Sequence, residues 1–364
     1  MGKRIFFTVT NNLDFDQRMG RIGDSLSAAG YQVTLVGVKS GRQGAPIRKN
    51  YAQKRIKCWF LKGKLFYIEF NMRLFFFLLT QKMDGICAID LDTILPALWV
   101  SRIKGIPRIY DAHELFCEMK EVVSRPFVYY CWKKIERYAV PRFRLGYTVS
   151  QPIAAEFKLL YGVDYRIIRN ISRLRPAGEK EKKGRYILYQ GAVNQGRSFE
   201  TLIPAMKNVP LPLVVCGDGN FMKEARELVR KNGLEEKVIF KGMLLPGELI
   251  RYTQGATLGI TLFDRTGRSN YYSLANRFFD YIHSGIPQLC VNYPAYAEIN
   301  RQYRVAWLVN DLEEATLSDA INNLLNNTVL YEELRSNCEK ARQVYNWQEE
   351  EKTLIGFYNQ VFHD

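Results

Sequence analysis

The segment YYSLANRFFDYIHSGIP, residues Tyr271–Pro287, places a guanidinium and a carboxylate in the first turns of a predicted amphipathic helix. The first N–H groups of a helix lack internal partners and lie at the positive end of its dipole, so helix starts bind anions. Arg277 would add charge to such a site, and Asp280, which would repel phosphate, could accept hydrogen bonds from the paired hydroxyls of a sugar. Phosphate beside ribose indicates a nucleotide; the alternative is a capped helix with both side chains in solvent. The backbone amides expected to hold the phosphate are those near Leu274, Ala275 and Asn276.

A second cluster, YDAHELF, follows a predicted strand in the first half of the chain. It contains His113, the only histidine of that half, followed by Glu114. Parallel sheets bind ligands at the carboxyl ends of their strands, so His113 lies where an active-site group is expected. Glu114 could orient this histidine or bind an acceptor; a purely structural histidine is the alternative.

The loop after the first predicted strand is a third candidate, within the segment Thr10–Leu26. We expect Asp16, Gln17 and Arg18 to project from it and to contact an acceptor. No G-x-G-x-x-G sequence follows this strand, which argues against a dinucleotide oxidoreductase.

The elements that would position these groups alternate between buried strands and amphipathic helices in both halves. The expected strands of the first half are Arg4–Thr10, Tyr31–Gly37, Gly85–Asp90, Ile106–Glu114 and Leu145–Ser150. Those of the second half are Tyr186–Gly191, Leu211–Gly217, Lys237–Gly242, Ala256–Phe263 and Pro287–Asn292. Between the halves, Ser172–Arg185 is charged, contains Pro and Gly and lacks apolar periodicity, which is typical of a linker.

This alternation predicts an α/β fold with parallel sheets and helices on both faces. We expect two doubly wound, Rossmann-like domains that face a cleft. The first would comprise residues 1–175 and bind an acceptor, and the second would comprise residues 176–346 and bind a nucleotide sugar. A C-terminal helix over about residues 347–364 is expected to pack back onto the first domain.

Composition excludes several classes of protein. The 364 residues are 47% hydrophobic and 13% aromatic, which is enough for sizeable cores and unlike a disordered chain. The sequence contains no secretory signal and no apolar run of about 18 residues, so we expect a cytoplasmic protein. Seven scattered cysteines and three histidines favour reduced thiols and no metal site. Two D-x-D strings, at residues 14–16 and 90–92, lie away from the predicted diphosphate site, so neither is interpreted as a metal ligand.

The excess of positive over negative charge is confined to the first half of the chain. Residues 1–175 contain 30 Lys and Arg against 14 Asp and Glu, whereas the remainder contains 22 against 23. Two stretches in the first half, Lys62–Leu79 and Arg125–Arg144, combine aromatic and cationic side chains as interfacial helices do. They predict peripheral binding to the anionic inner face of the cytoplasmic membrane, with rings in the core and charges on the surface as the alternative.

The second half resembles the donor domain of retaining GT-B-fold glycosyltransferases of the family 4 type, the glycosyl transferases group 1. DYIHSGIP, residues Asp280–Pro287, aligns with the end of the E-x7-E motif of that family and the A-x-G-x-P segment after it. ILYQGAVNQGRSFETLI, VVCGDGN and KVIFKGMLLPGEL are similar to its other donor segments, and the first half resembles its acceptor domain more loosely. The resemblance implies retaining transfer of a sugar from a nucleotide diphosphate donor such as a UDP- or GDP-sugar, without a metal, in polysaccharide or glycolipid assembly.

The resemblance also implies roles for individual residues. Asp280 would hold the ribose, and His113, with Glu114, would lie near the reacting sugar as catalytic residues. Two family positions differ: Tyr272 stands where the first glutamate contacts the transferred sugar, and Ala192 replaces an arginine whose charge Arg277 could supply. The full set of implied donor-binding residues is Gly191, Arg197, Gly217, Lys241, Tyr272, Leu274, Ala275, Asn276, Arg277 and Asp280.

Two other functions stay open. A GT-B-fold epimerase would act on a nucleotide sugar without an acceptor, although three histidines are few for its chemistry. A nucleic-acid-binding protein would account for the sequence pI of about 9.4, but no known nucleic-acid module is found and we expect no such partner. The expected partners are a nucleotide-sugar donor and a saccharide or lipid-linked acceptor.

Overall fold

The computed structural model describes residues 2–11, 13, 16–39, 49–175 and 184–363. Contacts between Cα atoms divide the chain into unit 1, which comprises Met1–Arg169 and Glu350–Asp364, and unit 2, which comprises Asn170–Glu349. The predicted linker includes residues 176–183 and the first D-x-D string includes residues 14 and 15, all of which lie outside the described residues.

Unit 1 contains a seven-stranded parallel sheet in the order β3-β2-β1-β4-β5-β6-β7. Its strands are β1 (Arg4–Thr8), β2 (Gln32–Val38), β3 (Ala52–Ile56), β4 (Gly85–Ile89), β5 (Arg108–Ala112), β6 (Leu145–Thr148) and β7 (Arg166–Ile167). Its helices are α1 (Gln17–Ala28), α2 (Gly63–Thr80), α3 (Ile94–Lys104), α4 (Lys120–Val123), α5 (Pro126–Ala139) and α6 (Gln151–Tyr161). Large rings fill the core of this unit, among them the fully buried Phe7, Tyr110, Phe143 and Tyr147.

Unit 2 contains a six-stranded parallel sheet in the order β10-β9-β8-β11-β12-β13. Its strands are β8 (Ile187–Gln190), β9 (Leu213–Cys216), β10 (Val238–Gly242), β11 (Leu258–Thr261), β12 (Gln288–Val291) and β13 (Ala306–Val309). Its helices are α7 (Phe199–Ala205), α8 (Met222–Asn232), α9 (Pro246–Gly255), α10 (Arg268–Tyr272), α11 (Asn276–His283), α12 (Pro294–Tyr303), α13 (Glu314–Asn326) and α14 (Thr328–Ala341).

The last helix, α15 (Trp347–His363), begins in unit 2 and continues into unit 1. Within unit 1 it is held to α1 by the Ser25 hydroxyl, which donates to a Glu351 carboxylate oxygen at 2.6 Å. The Tyr31 hydroxyl donates to the Asn359 amide oxygen at 2.7 Å.

These two sheets confirm the predicted α/β class and the doubly wound parallel topology. In each sheet the chain starts at an inner strand, adds strands toward one edge and then crosses to add strands toward the other edge. The strand order reverses between β1 and β4 in unit 1 and between β8 and β11 in unit 2. Ligands of such sheets bind beside these switch points, at the carboxyl ends of the strands.

Six elements of the described residues were not predicted: β3, β7, β13, α4, α10 and α12. β3 is an edge strand with the polar sequence AQKRI, so it lacks the apolar run that marks a buried strand. β7 has only two residues, α4 only four and α10 only five, too few for an apolar period to show. Among the described residues, no helix has both the length and the apolarity needed to cross a bilayer.

Candidate functional site

Arg277, in the first turn of α11, is buried beside the switch point of unit 2. Its side chain is 7% exposed, and its guanidinium donates to the Tyr189 hydroxyl at 3.2 Å, the Gln190 carbonyl at 3.3 Å and the Leu262 carbonyl at 3.4 Å. These partners belong to β8 and to the end of β11, the two strands that flank the switch point.

The partners of Arg277 are all neutral. In the part of the chain that the structure describes, no carboxylate forms an ion pair with it, and its Nε is buried without a hydrogen-bond partner. Burying a charge without a counter-charge costs free energy, so buried cations normally have an anionic partner. The site therefore contains a buried positive charge that an anionic ligand could neutralise.

Arg197 lies on the same aromatic ring as Arg277. The Arg197 and Arg277 guanidinium carbons are 4.5 Å and 4.6 Å from the centroid of the Phe263 ring. Arg197 also donates to the Asn270 side-chain oxygen at 2.8 Å, which ties it to α10. Two guanidinium groups on one ring repel each other in the free protein and would both be stabilised by a shared anion.

Two predicted glycines, Gly191 and Gly217, lie in this region, where neighbouring backbone segments are too close together to leave room for a side chain at Gly217. A Cβ at Gly217 would lie 1.8 Å from the carbonyl oxygen of Gly191, so only glycine fits there. A Cβ at Gly191, where φ is +122°, would lie 3.1 Å from the Arg277 guanidinium. Gly191 itself is exposed, and its missing side chain leaves the strand end open to a ligand.

Asp280 joins α11 to its neighbours through both carboxylate oxygens. They accept hydrogen bonds from the Ser172 hydroxyl at 2.9 Å and from the Gln190 side-chain amide at 2.9 Å. The amide oxygen of Gln190 in turn accepts from the Thr253 hydroxyl at 2.7 Å. A carboxylate oxygen can accept more than one hydrogen bond, so the expected ribose contact stays a prediction.

One predicted phosphate donor is already engaged. The backbone N–H of Ala275 donates to the Tyr296 hydroxyl at 3.0 Å, so the expectation that this amide is open to a phosphate is wrong. The physical reason is that Tyr296 on α12 is fully buried. A buried hydroxyl needs a hydrogen-bond partner, and the Ala275 N–H supplies one.

The remaining predicted donor residues surround this point. The side chain of Leu274 is buried, Asn276 is exposed, and the Tyr272 ring packs on Tyr271 with centroids 5.1 Å apart. Lys241 is exposed on the edge strand β10, with its Nζ 5.9 Å from the Tyr252 ring centroid.

In unit 1, His113 lies between two carboxylates at the ends of β4 and β5. Its Nδ1 is 3.3 Å from Asp90 and its Nε2 is 3.2 Å from Asp111, and its backbone N–H donates to Asp90 at 2.9 Å. The contact with Asp111 is close in distance but lacks hydrogen-bond alignment. Burial lowers the pKa of His113, but the two carboxylates outweigh burial and raise it to about 9. The imidazole is therefore a cation near neutral pH.

Asp90 holds this position with a strained backbone. Its φ of +53° lies in a region that non-glycine residues rarely adopt, and such strain concentrates at functional sites. Asp92, two residues on, accepts a short hydrogen bond from Thr10, and burial raises its pKa to about 7. The sequence predicts these two aspartates only as a D-x-D string that binds no metal. Their position directly after strand β4 is the signal that could have marked them as part of a site.

Arg18 does not project from the loop, and that expectation is wrong. The side chain is buried, and its guanidinium donates to both oxygens of Asp111, at 2.8 Å and 3.2 Å, and to the Ile168 carbonyl. Asp16 caps α1 by accepting from the Met19 N–H at 3.0 Å, and Gln17 is exposed. Arg18 thus points to the core because Asp111 needs a buried counter-charge. Glu114, after His113, is half-buried.

The described residues contain no group of three or more His, Cys, Asp or Glu side chains arranged to hold a metal ion. Unit 2 thus contains a buried arginine, a half-buried arginine and an exposed glycine at its switch point. Unit 1 contains an imidazolium between two carboxylates at the ends of β4 and β5. The first set suits an anionic ligand, and the second suits hydrogen bonding to hydroxyl groups.

Two family models match the sequence. Glycosyl transferases group 1 matches residues 170–343, and Glycosyltransferase Family 4 matches residues 18–172. No curated protein matches the chain.

Solved structures are similar over nearly the whole chain. HepE of Anabaena in complex with UDP is 14% identical, with 98% of this chain and 100% of that chain covered and a TM-score of 0.77. Sucrose-phosphate synthase of Thermosynechococcus elongatus is 17% identical, with 99% of each chain covered and a TM-score of 0.78. WaaG, a glycosyltransferase involved in lipopolysaccharide biosynthesis, is 15% identical, with 99% of this chain and 100% of that chain covered and a TM-score of 0.73. At these identities the likeness shows the fold.

Proposed function

Because this chain belongs to the GT-B-fold glycosyltransferases, with a group 1 part over residues 170–343 and a family 4 part over residues 18–172, we propose that it transfers a sugar from a nucleotide diphosphate donor with retention at the anomeric carbon. The acceptor is a saccharide or a lipid-linked saccharide, and the product belongs to cell-surface polysaccharide or glycolipid assembly.

The observation that carries this proposal is the buried guanidinium of Arg277, whose hydrogen-bond partners among the described residues are all neutral. In glycosyl transfer from a nucleotide sugar, negative charge develops on the leaving diphosphate. Fixed positive groups that meet this charge lower the barrier without having to reorganise. Arg277 and Arg197, both on the Phe263 ring, would supply that stabilisation.

His113 would act as a charged hydrogen-bond donor. Since its pKa is raised to about 9, it is the wrong form for a general base near pH 7. We propose that it binds a hydroxyl of the transferred sugar. The acceptor proton would then pass to the leaving phosphate, and no metal ion would be required.

A UDP-sugar is the first donor to test, because HepE, a similar structure, was solved with UDP and with UDP-glucose. Thermal unfolding with UDP, GDP, ADP and CMP would identify the base. A ligand at 100 times its Kd stabilises the folded state by about 2.7 kcal/mol, which is a clear shift in Tm.

Substitution of Arg277 tests the site directly. Arg277→Met keeps an unbranched stem but removes the guanidinium and its charge-assisted contact, so we expect the diphosphate Kd to rise about 10- to 100-fold. Arg226→Met is the matched control, since Arg226 also lies on a ring of unit 2, 4.9 Å from the Phe240 centroid, but away from the switch point. An unchanged Kd in Arg277→Met, or equal losses in both variants, would contradict the proposal.

The two open alternatives give different products. An epimerase would convert the nucleotide sugar without an acceptor, which product analysis in the absence of acceptor would reveal. A nucleic-acid-binding protein would shift in Tm with single-stranded DNA and not with any nucleoside diphosphate. Retention of activity in EDTA tests the proposed independence from metal.

We further propose that unit 1 attaches to an anionic membrane surface through α2 and α5. Their exposed apolar side chains define what we call the aromatic face: Leu65, Ile68, Met72 and Phe76 on α2, and Phe127, Tyr130 and Tyr138 on α5. Lys64 and Lys134 lie over the rings of Phe127 and Tyr130, each at 4.4 Å, so cations and rings alternate on this surface. This pattern is typical of interfacial helices.

A further inference from the structure

Unit 1 contains an apolar cavity that neither the His113 cluster nor the site in unit 2 uses. Its volume is about 340 Å³, within the range of about 300–1,000 Å³ that small-molecule sites occupy. It lies between α2 and α5, and α3 closes one side. The walls include Tyr67, Ile68, Leu95, Val128, Trp132 and Ile135.

The open side of the cavity carries a positive charge. Lys64 and Phe127 both line it, and the Lys64 Nζ is 4.4 Å from the Phe127 ring centroid. Phe127 is 65% exposed and Ile68 is 58% exposed, so the cavity opens onto the aromatic face. A ligand that enters from this face meets apolar walls and one ammonium group.

Another part of the lining approaches the His113 cluster. Asn71 and Asp92 line the cavity, and the Asn71 side chain donates to the Asp92 carbonyl at 2.9 Å. Asp92 is two residues from Asp90, whose carboxylate lies 3.3 Å from His113 Nδ1. The polar part of the lining thus lies two residues along the chain from the Asp90 carboxylate.

We propose that this cavity binds the hydrocarbon chain of a lipid-phosphate-linked acceptor, one chain at a time. The apolar walls match the chain, and Lys64 matches the phosphate at its end. That the lipid is the acceptor rests on the proposed function; that the cavity holds a lipid phosphate does not.

Cys131 provides a direct test, since it lines the cavity and is the only one of the seven cysteines that is not buried. The probe is farnesyl phosphate, a short isoprenoid chain with a single phosphate. At ten times its Kd it should slow the reaction of Cys131 with a small maleimide about tenfold, because a bound ligand shields the thiol according to its occupancy. Inorganic phosphate should leave the rate unchanged.

A matched pair of variants assigns the protection to the cavity. Ile68→Asp puts a charge in an apolar wall and should raise the farnesyl phosphate concentration for half-protection about tenfold. Leu159→Asp changes a residue that is 79% exposed on α6, outside the lining, and should have no effect.

Three results would overturn the proposal. They are no protection by farnesyl phosphate below its micelle concentration, equal protection in the wild type and Ile68→Asp, and protection of Cys131 by phosphatidylglycerol vesicles but not by farnesyl phosphate. The last would mean that the face binds a bilayer surface and not a single chain. Nucleotide binding, measured by thermal shift, reports on unit 2, so failure of the proposed function is distinguishable from failure here.

Discussion

Two buried arginines of this protein have opposite electrostatic surroundings. Arg18 is matched by a bidentate carboxylate, Asp111, at 2.8 Å and 3.2 Å. Among the described residues, the hydrogen bonds of Arg277 go to one hydroxyl and two carbonyl oxygens, and no carboxylate pairs with it. A paired buried charge is part of the fold, whereas a buried charge with neutral partners retains attraction for an anion. This contrast supports the proposal that Arg277, and not Arg18, binds the anionic ligand.

At the residue scale, His113 predicts a pH dependence of stability. Its folded-state pKa of about 9 lies above the ordinary value of 6.5, so its stabilisation is fully present below pH 6.5 and is lost as the pH rises through about 9. We expect the free energy of unfolding to fall over this window in the wild type and to fall less in His113→Gln. Urea denaturation at a series of pH values measures it.

Asp92 limits the window of that experiment. Burial raises its pKa to about 7, so its deprotonation lowers stability between its ordinary pKa and about pH 7. The comparison of wild type and His113→Gln therefore belongs above pH 7. Parallel curves for the two proteins there would contradict the assigned imidazolium.

At the scale of elements, buried polar contacts set how helices meet strands. Arg18 on α1 joins Asp111 on β5 and the Ile168 carbonyl after β7, so one side chain links three elements. In unit 2, Asp280 on α11 joins Gln190 on β8 and Ser172. These links fix the strand ends on which the candidate sites lie.

Removal of Arg18 should destabilise unit 1. Arg18→Met leaves the buried carboxylate of Asp111 without its counter-charge, which typically costs about 3–5 kcal/mol. Chemical denaturation would show this loss. The double variant with Asp111→Asn removes both charges and should recover part of it. A double variant no more stable than Arg18→Met would show that the loss has another cause.

The glycine loop of unit 2 gives a sharper test of backbone geometry. Gly217→Ala would bring a Cβ to 1.8 Å from the Gly191 carbonyl oxygen, so the loop must move. We expect a loss of more than about 1 kcal/mol, because the native conformation cannot accept a side chain. Gly247→Ala in α9 is the control, since a Cβ there meets nothing within 4 Å. Its Tm should stay the same or rise, and a similar loss in both variants would refute the close-approach argument.

At the scale of the whole molecule, charge and exposed apolar surface are concentrated in the same unit. Among the described residues, sixteen of the twenty-one large exposed apolar side chains belong to unit 1, and all of the aromatic ones do. Residues 1–175 also hold the entire excess of positive charge. The two properties together suit a surface that is both anionic and apolar, as a membrane interface is.

Vesicle binding tests this surface. We expect co-sedimentation with phosphatidylglycerol vesicles, weaker with phosphatidylcholine and weakened by salt, since each basic residue near an anionic membrane contributes about 1 kcal/mol. Phe127→Ser should reduce binding, whereas Val329→Ser, which changes a residue that is 82% exposed in unit 2, should not. Equal binding to neutral and anionic vesicles would exclude an electrostatic contribution to membrane binding.

The sequence by itself determined the two parallel sheets, most of their strands and the helix that starts at Asn276. Buried strands and amphipathic helices have local apolar periods, so their signal survives without tertiary information. Local position at a helix start and at a strand end also made Arg277 and His113 candidate site residues, whereas Gly191 and Gly217 were implied by the family resemblance.

Only the tertiary structure decided the partners of these groups. Arg18 and Asp111 are 93 residues apart, and Asp90 and His113 are 23 apart, so no local pattern predicts that they meet. The same holds for the Ala275 amide and Tyr296, and for the cavity between α2 and α5. Whether a polar group is satisfied, charged or open to a ligand depends on what packs against it, and that is a property of the folded chain.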